Sequence, residues 1–113
     1  MLLLPMAGRA AESRIKTTGA CDFGPSTYTF VVSQFDATTL RVRVVITGGA
    51  PSQSWAMFMT DNGEKVIRNV KVSALDGSVR WARKTPDRLG LDLVEMAASN
   101  RDSGEICTRT ISY

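Results

Sequence analysis

Two cysteines and no histidine set the terms for any chemistry this chain could perform. Cys21 and Cys107 stand 86 positions apart in 113 residues. There is no Cys-x-x-Cys pair and no neighbouring histidine to lower a thiol pKa for redox or nucleophilic work. The two sulfurs could form a structural staple, remain as buried thiols, or act as a reactive couple. The lack of histidine removes His-based acid–base catalysis, Ser-His-Asp and Cys-His nucleophile systems, and histidine metal sites. Two distant cysteines cannot make a four-cysteine zinc site. No glycine-rich dinucleotide fingerprint or P-loop is present. Asp76 and Asp102 fall in turn-like stretches, but two acids without a D-x-D pattern do not make a calcium loop. The expectation is a protein that is not an enzyme and has no metal or cofactor.

The elements that would have to position any site are those of one domain. Hydrophobic residues make up 43% and charged residues 22%, ordinary globular values for a chain of this length. The net charge is +3 and the pI about 9.2, too mildly basic to imply nucleic acid. The opening "MLLLPMAGRAAES" has an apolar run, then small residues at the −3 and −1 positions of a cleavage after Ala10. Residues 1–13 therefore read as a signal-peptide remnant or a flexible tail. The run is far shorter than the ~20 residues that span a bilayer.

After residue 26 the hydrophobic pattern has period two. "TLRVRVVITG" places Leu40, Val42, Val44 and Ile46 on one face and Arg41, Arg43, Val45 and Thr47 on the other. "TYTFVVSQF", "QSWAMFMT", "EKVIRNVKVSA", "SVRWARKT", "LGLDLVEMAAS" and "EICTRTISY" are further strands. Turn signals separate them, with Asn62-Gly63 suited to a type I′ hairpin. Short strands with turns every 8–12 residues predict an all-β, antiparallel sandwich of seven or eight strands, spanning residues 20–113 as a single domain.

The stretch "DGSVRWARKTPDRLGLDLVEMAASNRDSGEIC" resembles the last strands of Ig-like domains in secreted bacterial proteins of the actinobacterial type. Gly90, Asp92, Val94, Ala98, Asn100, Gly104, Glu105 and Cys107 carry the resemblance, over roughly residues 76–113. Trp55 resembles the strand-C tryptophan of Ig domains, although the usual B–F cysteine pair is missing. The resemblance implies strands A at 27–34, B at 39–47, C at 54–60, a C′ or D edge at 64–68, D at 69–74, E at 78–84, F at 91–98 and G at 105–112. It implies an inward set of Leu40, Val42, Val44, Ile46, Trp55, Met57, Met59, Val70, Val72, Val79, Trp81, Val94, Met96 and Ala98. In such a sandwich the first strand runs beside the last. That implies a Cys21–Cys107 disulfide closing the end where the termini meet, which points to an oxidising compartment.

The same strand assignment implies two outer faces. Arg41, Arg43, Lys71, Arg80 and Lys84 would share one basic face on an A-B-E-D sheet. It is either ordinary solvated charge or a surface for an anionic envelope polymer. Nucleic acid is disfavoured, because no aromatic residues alternate with the cations. Ala56, Phe58, Leu91, Leu93 and Ile106 would make the outside of the C-F-G sheet unusually apolar. Leu2, Leu3 and Leu4 could cover it, or it could contact a protein partner or a second copy. "GGAPSQS", "LDG" and "NRDSG" would form loops at one tip. The function expected is that of a non-catalytic, secreted or cell-surface Ig-like domain acting by contact with a protein or envelope polymer. The alternatives are an exported protease inhibitor presenting "GGAPSQS", or a structural decoration domain of a virus particle.

Overall fold

The computed structural model describes residues 13–113. The signal-remnant reading and the covering role of Leu2, Leu3 and Leu4 fall outside these described residues. Eight strands are formed: β1 (Arg14–Ala20), β2 (Thr27–Asp36), β3 (Thr39–Thr47), β4 (Ser54–Asp61), β5 (Glu64–Val72), β6 (Val79–Pro86), β7 (Leu93–Asn100) and β8 (Ile106–Ser112). They make two four-stranded antiparallel sheets, ordered β1-β2-β3-β6 and β5-β4-β7-β8. The fold is all-β, an Ig-like sandwich.

Alternation builds the core. Leu40, Val42, Val44 and Ile46 of β3 have no exposed surface, and they face Trp55, Met59 and Val94 from the other sheet, which have none either. Each such side chain contributes about 1.5–3 kcal/mol by leaving water. Both tryptophans belong to this core. Trp81 also donates its indole N–H to Asn69 Oδ1 at 2.7 Å, tying β6 to β5 at the open edge of the sandwich.

Strand β5 corrects the expected layout. Residues 64–72 form one strand hydrogen-bonded to β4, not an edge followed by a D strand in the first sheet. Asn62 (φ 52°) and Gly63 (φ 85°) form the hairpin between them, which favours pairing of adjacent strands. The pairing runs Asp61↔Glu64 and Thr60↔Lys65, then shifts to Met59↔Ile67. One extra residue on β5 makes a β-bulge, which reverses the alternation beyond it. Ile67 therefore turns inward and is 1% exposed, while Val70 and Val72, expected in the core, face outward at 47% and 64%.

Strand β1 had no counterpart in the sequence reading, and it brings residues from Arg14 onward into the sandwich. It pairs with β2 along its whole length, from Arg14↔Ser33 to Ala20↔Thr27. Its residues are mostly exposed, so the ladder hydrogen bonds hold it more than burial does.

Cys21 and Cys107 are bonded, with Cα atoms 4.4 Å apart. Beside them Asp22 and Ile106 exchange backbone hydrogen bonds of 2.7 and 3.1 Å, so covalent and hydrogen bonds together join the two sheets. The expected location is corrected in one respect. The bond sits at the loop tip where β8 begins, whereas the start of β1 and the end of β8 come together at the opposite tip, where the Tyr113 hydroxyl bonds to Ser13. Cys21 is in the β1–β2 connection, and β1 must run the full length of the sandwich before reaching it.

Glu105 is fixed next to this seam. It is 1% exposed. Its Oε2 accepts the Ser26 N–H at 2.8 Å and its Oε1 accepts the Ser103 hydroxyl at 3.2 Å. Glu105→Ala would leave a buried N–H unpaired, an expected cost of about 1–3 kcal/mol. Glu105→Gln keeps an acceptor for Ser26 and a donor for Ser103, so its cost should be clearly smaller. Urea unfolding of both variants checks this. Equal losses would mean that shape, not the hydrogen bond, is what Glu105 supplies.

Candidate interaction surfaces

The outer face of the β5-β4-β7-β8 sheet is built in cross-strand rows. One row is Val70, Ala56, Ser99 and Ile106, and the next is Arg68, Phe58, Ala97 and Thr108. Phe58 is 46% exposed and Ile106 39%, so two of the expected partner-face residues lie in one patch. With Val70, Ala56 and Ala97 they line a shallow trough of about 610 Å³. Arg68 and Arg101 stand at its sides, and among the described residues no carboxylate lines it. The Arg68 guanidinium lies 5.9 Å from the centre of the Phe58 ring, a cation–π distance.

Leu91 and Leu93 are exposed but do not join this patch. Leu93 precedes Ala97 by four residues on β7, about 13 Å of strand. The row holding Thr60, Glu95 and Thr110 intervenes. Leu91 lies before β7, in the connection from β6. The expected apolar face is therefore two separate features. The missed members, Val70 and Val72, were hidden from sequence reasoning by the bulge.

The outer face of the other sheet carries the cations. Arg41 pairs with Lys84, and Arg80 with Val45, across β3 and β6. Arg43 lies between those rows on β3. Lys71 belongs to β5 in the opposite sheet, which corrects its expected placement. It still reaches the edge of the basic face, donating from Nζ to the Arg80 carbonyl at 2.8 Å. Strand β1 adds two cations that sequence reasoning missed, Arg14 and Lys16. The alternation of "RIKT", with charges at every second position, was the available signal. No carboxylate occupies an outward strand position on this sheet between residues 14 and 20, 27 and 33, 41 and 47, or 80 and 84. Near its lower edge Phe35 lies between Arg41 and Lys84, 4.9 and 3.7 Å from the ring centre.

The acids gather at the two tips. At the upper tip the three expected loops do meet. Ser73 Oγ donates to Ala50 O and accepts the Gln53 N–H, both at 2.9 Å, and Asn100 Nδ2 donates to Gln53 Oε1 at 2.7 Å. Gly77 (φ 83°) presses against the Gly49 carbonyl; a side chain there would collide with backbone. Asp76 accepts the N–H and hydroxyl of Ser78, and these hydrogen bonds, the hydroxyl's first, hold its carboxyl below the usual range. Asp102 accepts the Ser54 N–H at 2.7 Å. Each carboxylate shapes a loop. Among the described residues no group of three or more His, Cys, Asp or Glu could hold a metal ion.

At the lower tip Asp61 and Asp92 are buried with no exposed surface. Arg88 Nη1 donates to Asp61 Oδ2 at 3.0 Å, and its Nη2 pairs with Glu64. The Arg88 N–H approaches Asp92 Oδ1 at 3.4 Å. Asp61 Oδ1 and Asp92 Oδ2 have no N–H or hydroxyl partner. A proton on Asp92 would put a donor beside the Asp61 carboxylate. Burial first, then the carboxyls of Asp61 and Asp87, push the Asp92 pKa up to about 6. Asp61 reads in the sequence as part of a hairpin turn, so its pairing with Asp92 was not visible there.

The chain matches no protein-family model, no curated protein and no solved structure. Its surfaces have to be read from their own residues. Among the described residues no helix is long and apolar enough to cross a membrane.

Proposed function

We propose that this domain is a non-catalytic contact module, exported to the cell surface or beyond, that docks a partner protein on the outer face of the β5-β4-β7-β8 sheet. The observation that carries this reading is the exposed apolar trough around Phe58, flanked by Arg68 and Arg101 with no carboxylate in its lining. An antiparallel sheet that faces only water normally presents polar residues on that side. The fitting partner surface is an aliphatic or aromatic side chain with carboxylates beside it. A second copy of this chain would bring like charges together, which costs affinity. The buried Cys21–Cys107 bond supports export, because such bonds persist in oxidising compartments.

The test places a photo-crosslinking residue at position 58 or at position 18, on the opposite sheet, and exposes producing cells to light. The expected result is a discrete protein adduct from position 58 alone, competed by the unmodified domain and not by Phe58→Asp. The Phe58→Asp change replaces a half-buried strand residue, so it should cost about 1 kcal/mol and leave the fold intact. Equal adducts from both positions would sink the reading. A dimer in sedimentation velocity that Phe58→Asp converts to monomer would make the partner a second copy.

A further inference from the structure

The basic face holds a second site, carried by observations separate from the apolar trough. Arg14, Lys16, Arg43, Lys71 and Arg80 line a concavity of about 460 Å³ that crosses the β1-β2-β3-β6 sheet. Its floor includes Val31 and Val45. Val31 points outward yet is only 7% exposed, because the long side chains of its cross-strand neighbours Lys16 and Arg43 shelter it. None of the five cations is in an ion pair with another described residue. Lys71 uses one donor on the Arg80 carbonyl and keeps two free. Five cations without an ion-pair partner among the described residues repel one another around one concavity, and an anionic ligand relieves that repulsion.

The geometry points to a linear anionic glycopolymer as the ligand: a carbohydrate or polyol chain bearing sulfate or phosphate esters, laid across the strands. Lys16, Arg43 and Arg80 come from β1, β3 and β6, so neighbouring cation positions are about 5–10 Å apart at the usual strand spacing. That suits charges repeated along a chain better than one small anion, which needs donors converging on a point. Stacked bases are not what the site is built for. Trp81 is 3% exposed with its N–H committed to Asn69, and Phe35, which is 43% exposed, lies outside the lining of this concavity; no exposed aromatic ring lines the site. A flat lipid surface fits a concave trough poorly, and the most exposed apolar side chains, Leu89 and Leu75, lie in end connections away from this face.

The experiment titrates the intact chain against fluorescent dextran sulfate and poly(glycerol phosphate), with neutral dextran, single-stranded DNA and anionic vesicles as comparisons. Binding to one or both ester-bearing polymers is expected, with none to neutral dextran, and which polymer binds tighter identifies the ester. Arg43→Glu/Arg80→Glu should weaken that binding roughly thirtyfold or more and lower the salt dependence by about two charges. Arg43→Gln/Arg80→Gln, a gentler change if the first double variant folds poorly, should weaken it about tenfold. Lys65→Glu, on β5 of the opposite sheet, should leave it unchanged. The inference is overturned if neither polymer binds, or if Lys65→Glu weakens binding as much as the double variants. It is also overturned if DNA or anionic vesicles bind more tightly than both polymers. None of these results depends on the partner proposed for the Phe58 trough.

Discussion

Removing the Cys21–Cys107 bond is expected to cost roughly 3–5 kcal/mol of folding stability. The bond closes a loop of 86 positions, and chain-entropy arithmetic for that length gives about 4.6 kcal/mol as an upper guide. Small domains are stable by only about 5–15 kcal/mol in total, so the reduced chain should be marginal. Both cysteines are nearly inaccessible, at 5% and 1% exposure, so the reductant acts only when the seam opens. Two preparations avoid that difficulty: the protein unfolded in urea with and without reductant, and a Cys21→Ala/Cys107→Ala variant. Both should show lower unfolding midpoints. A loss below about 1 kcal/mol in the double variant would show that the Asp22–Ile106 backbone bridge and the core already hold the two sheets together.

The carboxyl pair at the lower tip gives the second large effect, and it depends on pH. Asp92 has its pKa raised to about 6 in the folded protein, against about 3.9 in an unfolded chain. A raised carboxyl pKa favours the protonated form in the fold. Its stabilising contribution is fully present below about pH 4 and is lost as pH rises through about 6. At about 1.4 kcal/mol per pKa unit, the decline approaches 3 kcal/mol. Asp36 and Asp76 act in the opposite sense. Their carboxyls are held below 3.8 by hydrogen bonds, chiefly from the Thr38 N–H and the Ser78 hydroxyl. Their contribution is therefore present above about pH 4 and lost as pH falls below it. Stability should peak on the acid side of neutrality, near pH 4–5.

Asp92→Asn removes the titrating proton. Its amide offers the Asp61 carboxylate a donor at every pH, while its oxygen keeps the Arg88 N–H. The variant should be more stable than the natural protein at pH 7–8 and nearly equal to it at pH 4. Urea unfolding across that range measures it. If natural-protein stability rises steadily from pH 4 to 7 and Asp92→Asn does not help at pH 8, the fold does not favour a protonated Asp92.

The elements differ in how far they were legible from residues alone. β3 was legible throughout, because its four inward residues and their outward alternates depend only on local alternation. The Asn62-Gly63 hairpin was equally clear, since its two left-handed positions demand those residue types. β1 was not, because a strand held mainly by ladder hydrogen bonds leaves little hydrophobic pattern. β5 was misread because one bulged residue exchanges its faces, and nothing in "EKVIRNVKV" marks the shift. The basic face shows both sides of this. Arg41, Arg43, Arg80 and Lys84 follow from alternation, whereas Arg14, Lys16 and Lys71 join them only through β1 and across the open β5–β6 edge.

The amino-acid sequence by itself determined the all-β class, most of the core, the two tryptophans inside it and the lack of histidine chemistry. These depend on residue type and short-range period. The tertiary structure decided which sheet β5 joins, that Leu93 lies apart from Phe58, and that Asp61 meets Asp92. Each of those depends on register and on contacts between distant segments, where a one-residue shift turns a side chain from core to surface.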